Sequence, residues 1–197
     1  MESWQSHVES RGNPALEGAW GDIPWEFYEH NQVVPDALVR TAMCVPVRLL
    51  NPIDPQVMLT LNQKRSGWEI PGGHLDRLAD SIMETPAQAA ARETEEETGL
   101  RVASGRLVPY GYVEVRNNSA GDYPPRSCMQ FFGVYAPGEP GRPTDPAVDG
   151  ADTLAITELR EKVVLGEMKA TELALVCFGV RTVLRHHGLP YEHLTLP

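Results

Sequence analysis

Apolar positions cluster in runs along this chain, and the runs from Leu38 to Leu50, Val57 to Leu61 and Trp68 to Ile70 predict strands. Turn-forming residues separate them, Asn51-Pro52-Ile53-Asp54-Pro55 after the first and Asn62 to Gly67 after the second. Leu107 to Arg116, Ser127 to Tyr135 and Thr153 to Ile156 predict three further strands. Between the last two lies Ala136-Pro137-Gly138-Glu139-Pro140-Gly141-Arg142-Pro143, too rich in Pro and Gly for anything but a loop. The spacing changes to three and four at Ala87, Ala90, Ala91, Thr94 and Thr98, and again at Leu173, Val176, Cys177, Val180 and Leu184. The first set predicts a helix with a narrow face of small residues, and the second a helix from Glu172 to His187 with a wide apolar stripe that Gly188 ends. Helices flanking a mixed β-sheet are an α/β/α sandwich, an α/β protein.

The first helix is marked at both ends. Thr85-Pro86-Ala87-Gln88 reads as a Thr N-cap, a Pro at the first helical position and a Gln completing a capping box. Gly99 is the C-terminal stop. Its last turns carry Glu93, Glu95, Glu96 and Glu97, where the negative end of the helix dipole favours cations. Glu93, Glu96 and Glu97 share one face and repel one another by roughly 0.2 to 0.5 kcal/mol per pair. Such a cluster makes sense once divalent cations neutralise it, because Mg²⁺ prefers hard carboxylate oxygens.

Upstream, Trp68-Glu69-Ile70-Pro71-Gly72-Gly73-His74-Leu75 is a strand end running into a Gly-Gly turn, followed by Glu84 and the helix. Together with Arg92-Glu93-Thr94-Glu95-Glu96-Glu97-Thr98-Gly99-Leu100 this series resembles the signature of the Nudix hydrolases, whose fold is an α/β/α sandwich. The resemblance covers residues 38 to 188. It implies hydrolysis of a diphosphate bond, with Glu93, Glu96, Glu97 and Glu84 and the backbone carbonyl of Gly72 holding Mg²⁺, or Mn²⁺ as the alternative ion. It further implies that Arg92 orients a carboxylate, either Glu84 or Glu93, and that Glu93, Glu96 or Glu97 assists the attacking water; a surface bridge from Arg92 to Glu96 is the plainer alternative. Glu95 falls at a variable position and is expected to face solvent. A base outside the cluster would come from Glu158, Glu161, Glu167 or Glu172.

Two features depart from that pattern. Thr94 stands where an aliphatic residue is usual. The stretch from Asp76 to Met83 makes the path from Gly73 to Glu84 about five residues longer than the family pattern, which closure entropy tolerates because it grows only logarithmically. Met83 also replaces a Gly before Glu84, so a bulge that shifts Glu84 is one expectation.

For substrate contacts, Lys64, Arg65 and Arg126 are candidates for phosphate binding, Trp68 is a further substrate-binding candidate, and Tyr110, Tyr112, Tyr123 and Phe131 are candidates for stacking on a base. The strand aromatics suit a core better than a stacking site. The polar stretch Asn117 to Asp122 is expected to form a pocket rim or a long hairpin. Residues 1–37 hold Trp4, Trp20, Trp25, Phe27 and Tyr28, too aromatic for a disordered tail. They are expected to pack on the domain as an extension, to wall the pocket, or to exchange across a homodimer, with residues 189–197 a short C-terminal tail.

At 197 residues and 42% hydrophobic content, the chain suits one domain with a true core. A net charge of -10 argues against nucleic acid as a partner but not against a small nucleotide-like diphosphate, because bound metal reverses the local sign. No apolar run reaches membrane-spanning length and no secretory signal pattern opens the chain, so no membrane partner and a cytoplasmic location are expected. Cys44, Cys128 and Cys177 read as reduced core thiols. The leading reading is a Mg²⁺-dependent hydrolase of a nucleoside diphosphate derivative or nucleoside triphosphate. Its alternatives are a Nudix domain that binds a nucleotide ligand without turnover, as a sensor or interaction module, and an isoprenyl diphosphate isomerase, which would need a pocket-facing Cys.

Overall fold

A computed structural model describes residues 8, 11–20, 23–62, 67–79, 82–115 and 127–197. In chain order the elements are β1 (Leu16–Trp20), β2 (Ile23–Glu29), β3 (Val39–Arg48), β4 (Gln56–Asn62), β5 (Gly67–Glu69), β6 (Gly72–His74), β7 (Arg77–Ala79), β8 (Ile82–Met83) and α1 (Pro86–Thr98). β9 (Val108–Val115), β10 (Ser127–Tyr135), β11 (Gly150–Ala155), α2 (Ile156–Val164) and α3 (Ala170–His186) follow. Strands run in the order β1-β2-β9-β10-β3-β4-β11, with β5 on β4 and β6 on β3. Among the described residues only β10 and β3 pair in parallel, so the sheet is mixed.

Strands at the centre read as continuous apolar runs because helices cover both faces. Alternate residues part accordingly. Val45, Val47, Val57, Leu59 and Phe131 join the core under α3, whereas Ala42, Cys44, Met58, Phe132 and Val134 join the core under α1. On α3, Leu173, Val176, Val180 and Leu184 are fully withdrawn from water, each burial contributing about 2 kcal/mol. α1 presents Ala89, Ala90, Thr94 and Thr98, so helix and sheet approach closely.

β3 changes partner along one edge, and this places the site. β4 pairs with it at Val47 and Arg48, whereas β6 pairs with it from Thr41 to Met43. Pro46, with no N–H to offer, lies in the gap. Gly72-Gly73 was expected as a turn, and instead runs as a strand pressed between β3 and α1. A side chain at Gly72 would lie 2.5 Å from the carbonyl oxygen of Ala42. Close approach, rather than a bend, is the reason for glycine here.

Strand forecasts for the other runs hold to within one to three residues at each end. The pattern did not foretell β1, β2, the small hairpin β7–β8 or α2. β2 pairs with β9 from Trp25 to Glu29, so part of the aromatic N-terminal segment is a structural edge of the sheet. Among the described residues no helix is long and apolar enough to cross a membrane.

Candidate active site

Thr85 and Gln88 cap α1 reciprocally, as their order in the chain requires. Thr94 fits the aliphatic slot because its hydroxyl donates to the Ala90 carbonyl at 2.7 Å, leaving its methyl to pack. Gly99 closes the helix at φ 69°, a left-handed conformation that glycine adopts without strain. No cation sits in the last turn of the helix. Instead the Pro- and Gly-rich loop crosses the helix end: Gly141 N–H donates to the Thr98 carbonyl at 2.8 Å, and Thr144 and Asp145 N–H donate to the Glu96 carbonyl at 2.7 and 3.1 Å. Those donors satisfy carbonyls that the helix itself leaves open.

Arg92 is the hub of the acidic face. Its Nη2 donates to Glu84 Oε1 at 2.7 Å and to the His74 carbonyl at 2.9 Å. Its Nη1 donates to Glu93 Oε1 and to Glu96 Oε2, both at 2.8 Å. Arg92 therefore contacts the carboxylates of Glu84, Glu93 and Glu96 at once. The Glu84 carboxylate, then Glu93, raise the guanidinium's pKa against the opposing effect of burial. Glu84 is 3% exposed and its Oε1 also accepts from Asp76 N–H at 2.7 Å. Nε of Arg92 takes its other oxygen at 3.3 Å. Glu84 thus anchors Arg92, and the described part of the inserted stretch ahead of it pairs as β7 and β8.

Glu93 points at β6, where a side chain on Gly73 would strike its carboxylate. Burial raises the Glu93 pKa, Arg92 opposes that, and the nearby charges of Glu96 and Asp145 add to it. Asp145 is an acid that sequence reasoning missed, since its loop carries no periodic signal. Glu97 is buried on the same helix, and its Oε2 accepts from Gly72 N–H at 3.0 Å. Glu95 faces outward and pairs with Arg101 at 2.7 Å, which lowers its pKa. Among the described residues no three acids, histidines or cysteines stand as a ready metal cage. Arg92 fills the point on which Glu93 and Glu96 converge. The donor set still suits Mg²⁺, being hard carboxylate oxygens beside a strand whose Gly73 leaves room for the Glu93 head group.

Beside Gly72 and Glu97 opens a cleft of about 350 Å³. Trp20, Trp68, Met43 and Met129 form its walls, and Glu69, Lys169 and Glu172 add charge. Of the four acids considered as an outside base, only Glu172 is here. Glu158 accepts from Ala155 N–H, Glu167 pairs with Lys162, and Glu161 is exposed on α2. Glu172 Oε1 accepts from Ile70 N–H at 3.0 Å, and burial, helped by Glu69, pushes its pKa up to about 7.

The substrate-binding candidates fare unequally. Trp68 lines the cleft, whereas Lys64, Arg65, Arg126, Tyr123 and the stretch Asn117 to Asp122 lie outside the described residues. Tyr112 is fully buried away from the cleft, stacked on Tyr28 at 5.4 Å, and its hydroxyl accepts from Arg11 at 3.1 Å. Tyr110 and Phe131 are core residues too. Cys44, Cys128 and Cys177 are all buried free thiols, and burial pushes them up to about 12, 12 and 11.

The mixed sheet between helices thus carries a carboxylate cluster beside a glycine-containing strand, with a cleft next to it. The chain belongs to the NUDIX family, whose domain it matches over residues 44–173, and it is a Nudix-type hydrolase. Among solved structures it is similar to a mutant of the Bacillus subtilis pyrophosphohydrolase BsRppH, with TM-score 0.52 and 18% identity over 71% of this chain and 77% of that one. That likeness establishes a shared fold. Weaker ones are to the NUDIX domain of Shewanella oneidensis NrtR complexed with ADP ribose (TM-score 0.49, 15% identity, 66% and 82% covered) and to a C. elegans Ap4A hydrolase (TM-score 0.46, 17% identity, 71% and 93% covered). No curated protein sequence matches the chain.

Proposed function

We propose that the protein hydrolyses a diphosphate bond in a nucleoside diphosphate derivative or nucleoside triphosphate in the presence of Mg²⁺, with Mn²⁺ as a substitute. Glu93, Glu96 and Glu97, with the Gly72 carbonyl, would hold the ion. When bound, it neutralises charge on the diphosphate and lowers the pKa of a coordinated water. Arg92 keeps Glu93 and Glu96 directed at one point, and Glu84 keeps Arg92 there through a paired, charge-assisted contact. Glu93 or Glu96 takes the proton of the attacking water. The cleft beside Glu97 receives the group attached to the diphosphate.

The observation that carries this reading is the convergence of Glu93 Oε1 and Glu96 Oε2 on a single Arg92 nitrogen, with Gly73 of β6 leaving room for the Glu93 carboxylate. The test is a phosphate-release screen over nucleoside triphosphates, sugar nucleotides, dinucleotides and coenzyme A, with and without Mg²⁺, on the parent and Glu96→Gln. We expect Mg²⁺-dependent release that Glu96→Gln lowers by about 100-fold or more. An undiminished rate in Glu96→Gln overturns the carboxylate assignment. Failure on every diphosphate favours a ligand-binding domain without turnover.

A further inference from the structure

Trp20 lies outside the segment that carries the family match, yet it walls the cleft beside Gly72 and Glu97. It is the last residue of β1, which β2 holds in register from Leu16 to Trp20. Its indole rests against Trp25, with ring centroids 5.3 Å apart and planes inclined by 31°. Trp25 is itself 3% exposed and part of the main core. Trp20 is thus a rigidly backed aromatic surface that remains half-buried at the cleft. Opposed to this segment, Trp68 reaches the same cleft from β5, and Met43 and Met129 reach it from β3 and β10.

Indoles and thioethers around a cleft of about 350 Å³ form a polarisable slot suited to a flat ring. One wall carries the Glu172 carboxyl, with Oε1 already receiving the Ile70 N–H. A carboxyl in such a slot accepts hydrogen bonds from a ring's N–H edge. We propose that Trp20 is a specificity-determining residue whose indole stacks on the nucleobase of the substrate, and that Glu172 accepts from that base. This deepens the diphosphate hydrolase reading and rests on it for the position of the diphosphate. It makes the N-terminal segment part of the substrate site.

Binding of non-hydrolysable α,β-methylene analogues of the adenine, guanine, cytosine and uracil nucleoside diphosphates, measured by calorimetry with Mg²⁺, tests the inference. Methylenediphosphonate serves as the probe without a base. For the analogue that binds best, Trp20→Ala is expected to weaken binding about ten-fold, since stacking of a base on an aromatic side chain has that order of strength. Its affinity for methylenediphosphonate should stay within about two-fold of the parent's. Trp20→Phe keeps a ring against Trp25 and should lose only about three-fold, guarding against a folding defect in the alanine variant. Unchanged nucleotide binding in both variants overturns the inference, as does equal loss for both probes. Nucleotide binding that depends on Trp20 in a protein without hydrolytic activity sustains the inference and overturns the proposed function. Hydrolysis with no dependence on Trp20 does the reverse.

Discussion

Asp76 and Glu84 are joined twice: Asp76 N–H donates to Glu84 Oε1 at 2.7 Å, and Glu84 N–H donates to the Asp76 carbonyl at 3.0 Å. The inserted segment between them leaves and returns at one point. Its described strands β7 and β8 pair with each other as a separate two-stranded sheet, and Leu78, Ile82 and Met83 are exposed. The clasp isolates the insertion from the carboxylate it precedes.

Replacing Arg77 to Met83 with a short Gly-Ser turn is therefore expected to preserve the fold and the site. Thermal unfolding should shift by a few degrees at most, because little loop entropy and no core contact change. Mg²⁺ affinity by calorimetry should match the parent's. A loss of Mg²⁺ affinity would show that the hairpin itself positions Glu84.

Arg92→Ala leaves Glu84 buried with its main cation gone. Breaking a buried pair in this way costs about 3 kcal/mol, measured by urea denaturation, and activity should fall by more than about 100-fold. The double variant Arg92→Ala with Glu84→Gln should recover part of the stability and none of the activity. Equal stability of the two variants would argue against Glu84 as the anchor.

Gly73→Ala separates folding from function. The atoms nearest the new methyl belong to the far end of the Glu93 side chain, which can swing away, so the variant should fold with nearly the parent's melting temperature. Hydrolysis should drop by about ten-fold or more, because Glu93 leaves the point it shares with Glu96. A fully active variant would sink the role of Glu93.

Glu172 gives a pH signature. Its folded-state pKa of about 7 exceeds the ordinary 4.5, so its neutral form stabilises the native state fully below the ordinary value. That stability is lost as pH rises toward and through 7. Glu172→Gln keeps an acceptor for Ile70 N–H and removes the ionisation. The variant's melting temperature relative to the parent should rise between about pH 5 and pH 8.5. A difference independent of pH would mean that Glu172 stays ionised throughout.

Local order in the chain was enough for the box helix and the central strands. Thr85, Pro86, Gln88 and Gly99 act through bonds spanning a few residues, so their order dictates α1 wherever it packs. Near-continuous apolar runs in β3, β4 and β10 likewise specified a sheet covered on both sides. β1 and β2 escaped notice because Gly18, Pro24 and the acids of Leu16 to Glu29 blur the alternation, and their pairing partner β9 comes more than eighty residues later. Tyr112 could not be told from a stacking residue, since only its neighbours Tyr28 and Arg11 reveal that it is buried.

The sequence by itself determined the acidic helix, its stops, and the residue types that suit diphosphate chemistry, because these depend on short-range bonds and fixed spacing. Tertiary structure alone decided which acid does what. Glu84, Glu93 and Glu96 meet on Arg92, Glu97 turns to Gly72, and Trp20 and Glu172 arrive at one cleft from opposite ends of the chain. These groups come together only when β6 slides under α1 and the hairpin of β1 and β2 closes on β9, and such long-range closures leave no period in the sequence.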